Sequence, residues 1–180
     1  MAQREALKQL QARLAERLQA ARTEEGRAGW LAVEAEGAGF LFPLQQAGEI
    51  FPMVDILPLA HTRPWFCGVA NLRGGLHGVV DLASFLGLRA APPSEATARE
   101  GARLIAFNPA LRALCALRVD AMAGLRHAED LVALPNDTAR PAFAPHQWRD
   151  SGGRLWQEVD LAELAASDTF VSIAAEAASA

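Results

Sequence analysis

The chain has 180 residues, 51% of them hydrophobic, and a formal charge of −4 at pH 7. That length suits one compact domain or two small halves sharing a core, and the apolar fraction argues against global disorder. The acidic balance lacks the basic footprint of a nucleic-acid binder, and no apolar run approaches the roughly 18–20 residues of a membrane span. Neither nucleic-acid binding nor direct membrane insertion is expected.

The first predicted element is a helix within residues 1–26, where Leu7, Leu10, Leu14 and Leu18 recur at steps of three and four among polar residues. Such a stripe either docks on its own domain or serves self-association or a partner. The segment is charged throughout and lacks the apolar centre of a secretion signal, so a cytoplasmic protein is expected.

From Trp30 the period changes to short extended runs separated by turn signals. Residues 30–35 and 39–44 flank Glu36-Gly37-Ala38, a tight-hairpin pattern. Residues 67–72 and 76–80 flank Arg73-Gly74-Gly75, where glycine supplies the positive φ a hairpin turn needs. Two further pairs, 103–107 with 111–119 and 147–149 with 154–159, flank Asn108-Pro109-Ala110 and Asp150-Ser151-Gly152-Gly153. Many short strands with frequent turns predict a mainly β chain built as barrels or a sandwich.

One small device occurs twice. Val80-Asp81-Leu82 leads into Ala83-Ser84-Phe85-Leu86 before Gly87, and Val159-Asp160-Leu161 leads into Ala162-Glu163-Leu164. In each, an aspartate at a strand end is placed to cap the free N–H groups of a short helix, worth about 1 kcal/mol. Glu163 adds the capping-box spacing, and Gly87 suits a left-handed helix end. The repeat predicts two similar halves, 30–89 and 100–165, within a domain over 30–166. A Pro- and Ala-rich stretch over 90–99 joins them, and a tail follows at 167–180.

The sequence frames no reaction centre. His61, His77, His127 and His146 have no ligand spacing, Gly74-Gly75 lacks the trailing Gly-Lys-Ser/Thr of a phosphate loop, and Ser84 has no Gly-x-Ser-x-Gly frame. Neither enzyme activity, a cofactor nor a metal is expected. Cys67 and Cys115 lie far apart in apolar stretches and are expected as buried free thiols. The competing reading is a small β-barrel ligand binder or enzyme, which would need a concave site with convergent polar groups.

The run Pro64-Trp65-Phe66-Cys67-Gly68-Val69-Ala70-Asn71-Leu72-Arg73-Gly74 resembles the central motif of CheW-like domains, and Val79-Val80-Asp81-Leu82 resembles the aliphatic pair and Asp-Leu that follow it. Glu49-Ile50 stands 22 residues before Asn71, as in that family, and Val119-Asp120 resembles the Val-Asp step of its second half. The match runs from about Trp30 to Ala166. Gly78 replaces a proline that the family often has, and residues 123–153 are less typical.

The resemblance implies two five-stranded SH3-like β-barrels over a shared core. It also implies a non-enzymatic adaptor that couples the cytoplasmic tip of a chemoreceptor to the regulatory domain of a CheA-type histidine kinase, in arrays at the inner membrane. The N-terminal extension and the Gly-Val-Ala-Asn-Leu-Arg-Gly run are most similar to adaptors of the chemosensory systems controlling type IV pili and twitching. A flagellar or other array is the alternative.

Arg73 is the first candidate for receptor contact, with Glu49 and Asn71. The resemblance places the motif arginine at the receptor surface, and a guanidinium offers five donors in a fixed fork. Alternatively Arg73 pairs with Glu49 inside its own subdomain, or does both. Asn71 is expected to hold the local turn, Gly68 to mark a bulge or close strand approach, and Trp65 and Phe66 to be core or rim. The kinase-binding residues are unknown; stretches 44–51 and 125–134 are the candidates.

Overall fold

The computed structural model describes residues 28–94, 100–136 and 139–174. The predicted N-terminal helix, 1–26, lies outside them. Eleven strands form: β1 (Ala28–Ala35), β2 (Ala38–Pro43), β3 (Ala47–Pro52), β4 (Phe66–Leu72), β5 (Gly75–Asp81), β6 (Arg103–Phe107), β7 (Cys115–Val119), β8 (Ala121–His127), β9 (Leu131–Ala133), β10 (Gln147–Asp150) and β11 (Leu155–Glu158). Three short helices accompany them: α1 (Leu82–Phe85), α2 (Leu161–Ala166) and α3 (Asp168–Val171).

The four hairpins predicted from turn residues all form. Glu36-Gly37 and Arg73-Gly74 each take positive φ at both positions (48° and 77°; 50° and 80°), the conformation that matches strand twist in a two-residue turn. Asp81 and Asp160 cap their helices as read: Asp81 accepts from the Ser84 N–H, and Asp160 from those of Ala162 and Glu163. The box at the second cap is only half made, because the Asp160 N–H donates to the Phe143 carbonyl rather than to Glu163.

The strands assemble into a six-stranded sheet, β8-β1-β2-β11-β10-β9, and a five-stranded sheet, β3-β6-β7-β5-β4. The expected five-plus-five is thus six-plus-five. All ladders are antiparallel except β2 with β11 and β5 with β7. Those parallel pairs reveal how the halves combine. The opening hairpin β1–β2 joins β8–β11 from the later half, and hairpin β6–β7 joins β3–β5 from the earlier one. The repeated Val-Asp-Leu device then falls at equivalent places, after β5 and after β11. Sequence halves do not coincide with sheets, because each hairpin finds its partners across the chain.

Strand alternation distributes side chains over three cores. Leu31, Val33, Phe40 and Phe42 face the largest, shared core together with Val80, Ile105, Leu117 and Val119. Their alternate neighbours turn the other way. Val79, Leu104, Ala106 and Ala116 fill the five-stranded barrel with Ala70 and Leu72, while Ala32 and Leu41 pack with Leu131 and Trp156 inside the six-stranded sheet. Strands buried on both faces need apolar residues on both sides, which is why β2 and, apart from the half-buried Glu34, β1 read as apolar runs.

The five-stranded sheet closes where Leu57 bridges Val69, with N–H···O distances of 2.9 and 2.8 Å. Gly68 makes this seam possible. It sits at φ 133° beside a register shift, and a Cβ there would lie 2.1 Å from the Leu57 carbonyl oxygen. The bulge also turns Cys67 into the barrel and leaves Phe66 on the shared core. Residues 168–174, expected within a tail, instead form α3 and return to the domain. Phe170 is buried there and stacks on Trp65 and Phe107, and Thr62 bridges Ala174.

Candidate functional site

The β4–β5 turn presents Arg73 at one end of the five-stranded barrel. The Asn71 Oδ1 accepts the Gly74 N–H at 2.8 Å, so Asn71 holds the turn, as its residue type suggested. Arg73 reaches across to β3, where its Nη2 lies 2.7 Å from Glu49 Oε1. The structure therefore brings the three candidate residues Arg73, Glu49 and Asn71 together. Both charged groups stay open to solvent, with Arg73 76% and Glu49 41% exposed. A pair of this kind contributes about 0–1 kcal/mol to folding, and several of the guanidinium's donors remain available.

Apolar side chains surround this end. Ile50 follows Glu49 on the edge strand, and Leu76 follows the turn on β5. Leu114, whose carbonyl accepts the Gly78 N–H, precedes β7. All three are exposed, Leu76 by 63% and Leu114 by 67%. Large aliphatic side chains beside a fixed guanidinium give a surface suited to a protein partner. The candidate stretch 44–51 includes most of edge strand β3. The other, 125–134, runs from β8 to β9, the two edges of the six-stranded sheet, where Val132 is exposed. Trp65 and Phe66 are buried, as expected of core residues.

Arg89 is a residue that sequence reasoning missed. Its Nε and Nη2 engage both oxygens of fully buried Asp81, and Nη1 meets Asp120 at 3.0 Å and Glu36 at 3.2 Å. Burial alone would lower its pKa, but the hydrogen bonds it donates to Asp81 and Asp120, with their charges, drive it well up. Asp120 also accepts the Glu36 N–H at 2.8 Å. One cation thus ties α1, the β1–β2 turn and the β7–β8 connection, joining the two sheets. The available signal was a pair of aspartates at strand ends, Asp81 and Asp120, with an arginine just after Gly87.

Both cysteines are free thiols and only partly buried. Burial pushes the Cys115 thiol up, and burial followed by the nearby charge of Asp81 pushes Cys67 up to about 11. Among the described residues, no three His, Cys, Asp or Glu side chains gather where they could hold a metal ion. No helix there is long and apolar enough to cross a membrane.

Two barrel-like sheets over a shared core, with an Asn-Leu-Arg-Gly turn at one barrel end, define a CheW-like domain. Residues 29–169 match the family of that name, and the chain belongs to it. The family consists of coupling scaffolds. Among curated proteins, the chain is 31% identical over 91 residues to Protein PilI of Pseudomonas aeruginosa. That alignment covers 51% of this chain and 48% of PilI, so the chain spans about half the length of this relative. Among solved structures, it is similar to the scaffolding protein TtCheW from Thermoanaerobacter tengcongensis, with a TM-score of 0.60 and 18% identity. That match covers 74% of this chain and 88% of TtCheW and speaks to the fold alone.

Proposed function

We propose that this chain is a non-enzymatic adaptor that couples a chemoreceptor to a CheA-type histidine kinase, and that it serves a chemosensory system controlling type IV pili. The observation that carries the coupling role is the β4–β5 turn, where a mostly exposed arginine is aimed by Glu49 and supported by Asn71. Arg73 is the receptor-contacting residue: its remaining donors suit carboxylates or the free carbonyls at a helix end of a receptor tip. The internal pair and the receptor contact are compatible, because the pair fixes the fork without consuming it. The likeness to PilI supports the pilus pathway over a flagellar one.

The exposed leucines at the same barrel end suit docking of a second barrel, such as the kinase's regulatory domain. Each pairwise contact has micromolar affinity, on the order of −8 kcal/mol, and lattice multivalency supplies the rest. A pull-down with receptor cytoplasmic tips tests the receptor contact. Arg73→Ala is expected to lose most of the retained tip while keeping its fold, and undiminished retention would refute the assignment.

A further inference from the structure

At the barrel end opposite the Arg73 turn lies a cavity of about 580 Å³. Its lining includes Met53, Val54, Ile56, Cys67 and Arg118, with Pro92 and Pro93 on one side. Arg118 is the unusual member. It lies on β7, the central strand, on the face whose other residue, Ala116, packs inside the barrel. Its residue is only 4% exposed. Nη1 donates to the Pro93 carbonyl at 2.9 Å, yet the buried Nε has no hydrogen-bond partner.

Among the described residues, no carboxylate stands within ion-pair distance of Arg118. Asp81, its register neighbour on β5, is already engaged by Arg89 and Ser84. Cys67, beside it in the cavity, is a hydrogen-bond neighbour of the Arg118 guanidinium, but as a neutral thiol at ordinary pH it supplies no counter-charge. A buried guanidinium N–H without an acceptor is costly, and an anion that brings its own oxygen relieves it. The remaining lining is mainly apolar, the volume falls within the roughly 300–1,000 Å³ of small-molecule sites, and barrel mouths are common places for them. Asp55 lines the cavity from an exposed position and disfavours ligands carrying several negative charges.

We propose that this barrel mouth binds a small monocarboxylate on an apolar body, such as a medium-chain fatty acid. The carboxylate accepts from the Arg118 guanidinium, and the apolar body lies against Met53, Val54 and Ile56. This is the concave site with a polar anchor that motif reading could not supply, because its parts come from four separate stretches. It lies away from the Arg73 turn and does not depend on the adaptor role.

The test titrates the full-length, 15N-labelled chain with octanoate and, in parallel, with 1-octanol, which offers the same body without the charge. Saturable shifts at the Ile56 and Cys67 amides and at Arg118 Nε–H are expected with octanoate, and about tenfold weaker binding with octanol. Arg118→Met should reduce octanoate binding to the octanol level. If that variant does not fold, Ile56→Trp narrows the mouth while leaving Arg118 in place, and it should weaken octanoate binding. Absence of saturable shifts, equal affinity for the two probes in the unaltered chain, or undiminished octanoate binding by Ile56→Trp would overturn the proposal.

Discussion

Arg73, Arg89 and Arg118 carry one kind of side chain into three environments, and their energetics differ accordingly. Arg73 pairs with Glu49 in water, where screening and side-chain entropy leave little net gain. Arg73→Ala should therefore shift unfolding in urea by less than about 1 kcal/mol. Arg89 instead compensates Asp81 and Asp120, both buried. Replacing it with methionine strands two carboxylates and should cost about 3–5 kcal/mol in the same assay. Comparable losses for the two variants would contradict this division. Cys67 gives a pH signature. Burial, with Asp81, raises its thiol from 9.0 to about 11 in the folded chain, so the thiol's contribution is complete below pH 9. It declines as pH rises toward 11, because the unfolded thiol ionises first. Stability should fall over that window by up to about 3 kcal/mol, less so in Cys67→Ala. An unchanged pH dependence in the variant would refute the shift.

At the scale of elements, the seam between Leu57 and Val69 makes the five-stranded sheet a barrel, and Gly68 is the residue it depends on. Gly68→Ala would force a side chain against the Leu57 carbonyl at a strained φ, at a cost of about 3 kcal/mol. Amide exchange at Leu57 and Val69 should accelerate more than elsewhere; uniform or unchanged protection would refute the seam. Local chemistry made much of this level legible. Glu36-Gly37 and Arg73-Gly74 announced their turns through a glycine tolerant of positive φ, and Asp81 and Asp160 announced helix caps through side-chain oxygens. Other features left no local mark. Edge strand β3 contains Gly48 and ends on Pro52, both poor strand signals, and β9 has only three residues. The partners of Arg89 and Arg118 lie on distant turns, connections and strand ends, so spacing along the chain could not reveal them.

For the whole molecule, the exchanged hairpins matter most. Neither half of the chain contains a complete sheet, since β1–β2 need β8–β11 and β6–β7 need β3–β5. The shared core likewise draws Leu31, Phe42, Val80, Ile105, Leu117 and Leu164 from both halves. Fragments 28–89 and 100–174 should each give poorly dispersed NMR spectra alone, whereas the intact chain unfolds in one cooperative transition. A dispersed spectrum from either fragment would contradict that dependence. The sequence repeat pointed to two halves but concealed their interleaving. Turn signals mark neighbours along the chain, and the parallel pairings β2 with β11 and β5 with β7 leave no such signal.

The proposed role is tested most directly by reconstitution. Receptor-bearing membranes and a CheA-type kinase are combined with the unaltered chain or with Arg73→Ala, and kinase autophosphorylation is followed with and without attractant. The unaltered chain should place the kinase under receptor control, and Arg73→Ala should fail to do so despite its intact fold. Receptor control that is the same without the chain, or fully restored by Arg73→Ala, would contradict coupling through the β4–β5 turn.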